Sequence, residues 1–525
     1  MMATTLLKSI CSCLVLCVVA IRSKDITVGD PIDGLVSVNI QLSLTASKAP
    51  APKVRSSWVN MDDDDQELYI EAVQLAMDRG YHYYFTQLLE DQQTYCEYYL
   101  TTGWAYWNRK ILLAYETMLR SLGPKYASVT IPYWDAFADF ASTQTSSNCT
   151  TLDCAPILSD LGGYKGPVGS LVIDGNSTVG NKVNSSPANH FCESSTTCSK
   201  FFIRSNWRRS FPSGFGYFAA AQALNIATNF QNFTSFLKSG MHNNMHLALG
   251  AMMANNRTIG EVLFFPLHAT LDLMLQIYIN CYIGEFPSVE TKKNTSNAWL
   301  FVNGSVSKPL YEPPNVLSSI THRLPRNYTL SKDFYIDAVN HTILGPIFQK
   351  LPTRYWEYVS ASNIGTGLSY TYDFNGLLTN LKANMYKCVV NRTNSSRRLG
   401  EKKSFQKQIQ IARARSENCM ATIAKKLSTY VSDRLGKGDD NEDKTLRVSF
   451  IIECLWISDI SGQDPQGIQP FIGGVGEDAT PDTLSPCEAA RLSPEAQIHQ
   501  GVIANGLKKY RNWIKKSPCQ NQITF

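Results

Sequence analysis

Two of the chain's eight histidines, His242 and His246, stand four apart in Met241-His242-Asn243-Asn244-Met245-His246 and so share one face of a helix, a turn apart. His268 follows 22 residues later in Phe264-Phe265-Pro266-Leu267-His268, where Pro266 suits the first turn of a second helix. Two antiparallel helices joined by a hairpin bring three imidazoles to one point. Three neutral nitrogens without a thiolate suit copper, by intrinsic affinity, or zinc, by availability. Eight histidines in 525 residues would give on the order of 0.1 such spaced pair by chance, and a third histidine in an apolar frame strengthens the signal. Asp272, one turn past His268, is spaced either to orient an imidazole from behind or to be a plain helix-face carboxylate.

The elements that must hold these residues are mainly helical. Asp62 to Asp65 caps a helix whose apolar face is Leu68, Val73 and Leu75 to Ala76, rather than binding an ion, because consecutive carboxylates do not converge on one cation. A second helix runs from about Trp104 to Leu122, with Trp104, Asn108, Ile111, Tyr115, Met118 and Leu122 on one face, so Asn108 points inward. Val129 to Asp135 is a short extended piece stopped by Pro132. Thr143 to Cys198, with three sequons and four cysteines, reads as an exposed insertion that carries no core. Helices at Phe233 to Met253 and Phe265 to Tyr282 follow, joined at Asn255 to Thr258. Beyond Gly284 the pattern is mixed: a basic helix at Lys402 to Tyr430, a strand-like run Leu446 to Ile457, a linker Gly462 to Pro486 and a last helix Pro494 to Ile514.

His242-Asn243 with His246 and Gly250, then Leu263-Phe264-Phe265-Pro266-Leu267-His268-Ala269-Thr270-Leu271-Asp272, resemble the second copper-binding half (CuB) of the tyrosinase, catechol oxidase and hemocyanin family of type-3 copper proteins. Upstream, Trp104 to Glu116 and Ile131-Pro132-Tyr133-Trp134-Asp135 are similar to the first-half (CuA) signature, aromatic-W-H-R-x-x-L-x-x-Y-E and then P-Y-W-D. The resemblance implies a four-helix bundle over residues 61–290, holding two coppers on three histidines each, binding dioxygen side-on and oxidising phenols to quinones. It assigns His242, His246 and His268 as ligands, and Asn243 as a residue that helps hold an active-site water. The CuA half departs from the pattern: Leu89, Tyr99 and Asn108 stand where its three histidines belong, with His82 the one histidine nearby. A leucine, a phenol and a neutral amide give copper almost nothing to bind. One well-formed metal site is therefore expected, with one copper ion, or zinc, and phenol oxidase activity lost or much reduced. The alternative is an active monophenol or o-diphenol oxidase working through a single or repaired copper site.

The 49 basic and 44 acidic side chains leave a net charge of +5 with no long Lys/Arg run, which argues against nucleic acid as a partner. Lys8 and the apolar stretch Ile10 to Ile21 read as a secretory leader, residues 1–23, because about twelve residues are too few to span a bilayer. Residues 24–60 form an extension, and 291–525 a mixed α/β region of unknown role. Eleven cysteines follow the leader, and Cys149 with Cys154 and Cys192 with Cys198 are placed for local bridges. Sequons at Asn148, Asn176, Asn184, Asn232, Asn256, Asn294, Asn303, Asn327, Asn340, Asn391 and Asn394 suggest N-linked glycans on an exported protein. His190, His322, His341 and His499 are expected at the solvent. No Ser-His-Asp order, phosphate loop or C-x-x-C pair stands out.

Overall fold

The computed structural model describes residues 53–91, 94, 97, 101, 103–145, 149–225, 229–299, 316–325, 335–374, 376–383, 404–436, 438, 441–461 and 486–516. Tyr99, the leader, and Asn148, Asn303, Asn327, Asn391 and Asn394 lie outside them.

Helix α1 (Asp63–Asp78) begins where the aspartate run ends, with the Asp62 carboxylate accepting from the Asp65 backbone N–H at 3.0 Å. The short α2 (Tyr81–Thr86) leads into a 3₁₀ turn, Gln87–Leu89. Helix α3 (Trp104–Ser121) is buried almost all round, as a central helix must be. Its charged residues survive burial because they are partnered: Glu116 takes Arg55 at 2.8 Å, Arg120 at 2.5 Å and the Ile131 N–H at 3.0 Å. Helix α4 (Phe230–Phe236) runs into a π-helical turn, Leu237–Asn243, and then α5 (Asn244–Leu249). Helix α6 (Phe264–Tyr282) packs along α3, with Tyr115 stacked on Phe265 at 3.5 Å between ring centres. Short α2 reaches the same seam through Phe85, 5.1 Å from Tyr115.

Extended segments tie this helical core together. Strand β1 (Lys53–Ser56) pairs in parallel with β7 (Tyr370–Asp373), so chain from both sides of the core meets in one two-stranded sheet. The Trp134 N–H donates to the Pro266 carbonyl at 3.1 Å, and Thr270 Oγ1 donates to the Trp134 carbonyl at 2.5 Å, fastening the start of α6. Beyond residue 290 the structure is mixed, with the antiparallel pair β5 (Arg323–Pro325) and β6 (Tyr335–Asp337) and the long helices α7 (Ser404–Leu435), α8 (Asn441–Ser461) and α9 (Gln500–Lys515). The chain is thus mainly α with a mixed α/β C-terminal region. No described helix is long and apolar enough to cross a membrane.

Three expectations are corrected. The run Leu446 to Ile457 is helical, inside α8: its apolar residues are buried between neighbouring helices, and a run buried on several sides loses the period that distinguishes helix from strand. The Thr143 to Cys198 insertion does carry core. It holds β2 (Val168–Ile173) and β3 (Asn176–Val183), antiparallel and joined to β4 (Phe202–Arg204), and it buries Leu152, Ile157, Leu158 and Phe191. Its bridges are Cys149–Cys154 and Cys192–Cys198; Cys454–Cys487 is a third. Finally, His322 and His341 are buried rather than at the solvent, His322 stacked on Trp107 at 4.4 Å and His341 against Tyr84 at 4.9 Å.

Candidate metal centre

His242 lies in the π turn, His246 in the α-helical turn after it, and His268 in the second turn of α6. The widened turn is a local departure from the plain helix that the spacing predicts, of the kind that collects at functional sites. Gly214 fits it closely: a Cβ there would sit 2.0 Å from the Gly240 carbonyl oxygen. Gly250, at φ 63°, ends α5, and its N–H donates to the His246 carbonyl at 2.9 Å.

One nitrogen from each of the three imidazoles falls within 4.8 Å of the others, and all three residues are buried. Among the described residues no other trio of His, Cys, Asp or Glu converges in this way. The hydrogen bonds around His246 decide its tautomer. Its Nδ1 lies 2.6 Å from the Met253 carbonyl, which can only accept, so Nδ1 carries the proton and Nε2 holds a lone pair. That lone pair faces His268 Nε2 at 3.1 Å. Thr258 Oγ1, 3.1 Å from the same Nδ1, is a second contact behind the ring. His242 Nδ1 is 2.8 Å from Asn243 Oδ1, so the asparagine orients this imidazole. Burial holds His246 down to about 4 and keeps His242 and His268 well below the usual imidazole range, the latter two further opposed by neighbouring imidazoles. Three neutral rings with inward nitrogens fit a borderline-soft cation such as copper or zinc. His268 Nδ1 is buried without a hydrogen-bond partner, and the ring stacks on Phe264 at 3.8 Å.

The positions that correspond to the CuA half differ. Leu89 is buried in the Gln87–Leu89 turn and offers no donor atom. Asn108 is buried on α3, one turn after Trp104, whose ring lies 5.4 Å from His242. The Asn108 amide donates to the Trp104 carbonyl at 2.8 Å, and its Oδ1 has no partner. His82 is no ligand: the Gly260 carbonyl takes its Nε2–H at 2.9 Å, and Nδ1 then accepts from the Tyr115 hydroxyl at 2.8 Å, using both nitrogens. Asp272 does not orient an imidazole. Its Oδ1 takes Arg109 Nε at 2.5 Å and its Oδ2 takes the Tyr370 and Tyr372 hydroxyls at 2.6 Å each. The sequence reading missed Arg109, Tyr370 and Thr258. The Arg109–Asp272 contact joins two quoted motifs, but nothing in sequence spacing pairs residues 163 positions apart.

Residues 79–280 match the family model described as the common central domain of tyrosinase. That segment is therefore a tyrosinase-type central domain, and the three-histidine cluster lies inside it. The chain is similar to a solved polyphenol oxidase from Thermothelomyces thermophila, a mutant form of that enzyme, at 14% identity and a TM-score of 0.37, over 62% of this chain and 89% of that one. No curated protein matches the chain.

Proposed function

We propose that this is a secreted, copper-binding glycoprotein of the tyrosinase family that keeps the CuB site and has lost phenol oxidase activity, wholly or largely, with the CuA site. The observation that carries the proposal is the contrast between the two halves of the motif: three converging imidazole nitrogens from one, and from the other the donor-free Leu89 and an Asn108 amide bonded to its own helix. His242, His246 and His268 would hold one ion, and copper bound there would supply one-electron redox chemistry with an open coordination position. The protein's own part is to keep the rings neutral and oriented through Met253, Thr258 and Asn243, and to exclude water by burial. Zinc suits the same donors, and phenols and dioxygen are the small molecules the family uses.

Export and glycosylation rest on the leader-like N-terminus and the sequons. Among described sequon asparagines, Asn176, Asn184, Asn232, Asn294 and Asn340 are exposed and Asn256 is half-buried, which supports glycans at the first five.

The test is metal content per chain after copper loading, followed by oxygen uptake with a catechol. One copper per chain and negligible uptake are expected. Two coppers per chain, or uptake comparable to an intact two-copper oxidase, sinks the reading; one copper with sustained uptake favours a single-copper oxidoreductase instead.

A further inference from the structure

Helices α7 and α9 leave an open groove of about 490 Å³ between them, far along the sequence from the histidines. Thr422, Lys425, Lys426, Thr429 and Tyr430 line it from one face of α7, and Trp513 lines it from α9. Lys425 and Lys426 are exposed, as are Lys508 and Lys509 on α9, while Tyr430 and Trp513 are half-buried. The Tyr430 ring is flanked by cations, with Lys509 Nζ 5.3 Å and Arg434 5.2 Å from its centre. Asp433 is the one carboxylate in the lining. Arg511 on α9 is already paired with Asp459 and is not counted among the available cations.

We propose that this groove binds an acidic oligosaccharide, sulfated or rich in uronic acids. Lys425 and Lys426 in the lining, with Lys509 beside the Tyr430 ring, give the groove a charge complementary to a polyanion. Sugar rings pack their C–H faces on indole and phenol rings, while anionic substituents meet ammonium groups. Two other occupants fit less well. An amphipathic peptide helix lays its apolar anchors into a groove lined by aliphatic side chains, and this lining holds no Leu, Ile, Val or Met. A membrane surface needs an apolar helix face free to insert, but Ile503, Tyr510 and Ile514 of α9 are buried inward.

The test uses the full chain and a heparin-derived tetrasaccharide, with a neutral dextran oligosaccharide of equal length as control. Binding of the tetrasaccharide that weakens with salt, and no binding of the control, are expected. The K425E/K426E/K509E variant should bind at least tenfold more weakly. Because these side chains are exposed, the variant should keep the parent's circular dichroism and melting temperature. W513A should weaken binding while leaving the salt dependence unchanged, since it removes stacking and no charge. The proposal is overturned if the tetrasaccharide does not bind, if the folded triple variant binds it as the parent does, or if only anionic phospholipid vesicles or acidic peptides bind.

Discussion

Arg109 and Asp272, 163 residues apart, form a buried pair with Nε 2.5 Å from Oδ1, so the arginine that follows Asn108 grips the helix that carries His268. The Arg109 guanidinium also donates to the Tyr358 and Val359 carbonyls at 2.8 and 3.1 Å. On the other side Arg55, from β1, lies 3.7 Å from Asp272 and stacks over Tyr370 at 3.7 Å. The segment that carries Asn108 thus braces, through Arg109, the helix that carries His268.

Removing one partner of that pair leaves a buried charge uncompensated. Asp272→Ala should therefore destabilise the fold by about 3–5 kcal/mol, and Asp272→Asn by less because its amide oxygen still accepts from the two tyrosine hydroxyls that share Oδ2. Denaturant unfolding of the two variants checks this. Equal stability of Asp272→Ala and the parent would show that the clamp contributes nothing.

Metal binding should stabilise the folded chain, because the three nitrogens converge only when it is folded. At a free metal concentration of about 100 times Kd the gain is about 2.7 kcal/mol. His246→Ala should abolish the metal-dependent rise in melting temperature. Thr258→Val removes only the contact behind the ring and should cost about 10-fold in metal affinity, the lower end for such outer contacts. Thermal unfolding with and without copper measures both; an unchanged metal shift in His246→Ala would remove that histidine from the site.

Helices α3 and α6, the second of which bears His268, were legible because period and motif agree over Trp104 to Ser121 and Phe264 to Tyr282. The apposition of His242, His246 and His268 followed from one four-residue spacing and a proline. Other features are tertiary and leave little trace in a local pattern. The π turn is one: its start at Leu237 has no compositional mark. The role of Asp272 is another, since a helix-face carboxylate looks the same whether it meets an imidazole or an arginine from a distant motif. His322 looked polar from its sequence neighbours Thr321 and Arg323, yet Trp107, far earlier in the chain, covers it.

Glu453 on α8 predicts an alkaline limb of stability. Its carboxyl accepts the Phe218 N–H at 3.1 Å at the start of the helix Tyr217–Asn225, and burial pushes it from the usual range up to about 8. The folded state then keeps a proton that the unfolded chain has lost. The stabilisation is fully present below about 4.5 and is lost as pH rises through about 8, by at most about 1.4 kcal/mol per pH unit. Glu453→Gln should flatten the stability profile over that window. Superimposable profiles for the two proteins would count against a protonated Glu453 in the fold.

His82 predicts the acid limb, with the opposite sign. Burial lowers it from 6.5 to about 4, against the small upward pull of the Gly260 carbonyl. Between those values the unfolded chain binds a proton that the folded chain refuses, so this contribution is complete above about pH 6.5 and is lost as pH falls through about 4. Glutamine at position 82 can accept from Tyr115 and donate to the Gly260 carbonyl without titrating. His82→Gln should therefore lose less stability than the parent on acidification, by up to about 3 kcal/mol at pH 4. Urea unfolding of both proteins, free of metal, at half-unit steps from pH 7 to 4 measures the difference. The other buried histidines are common to the two chains and cancel. Parallel curves across that range would mean that His82 is protonated in the fold, and that its contacts with Tyr115 and Gly260 do not hold it neutral.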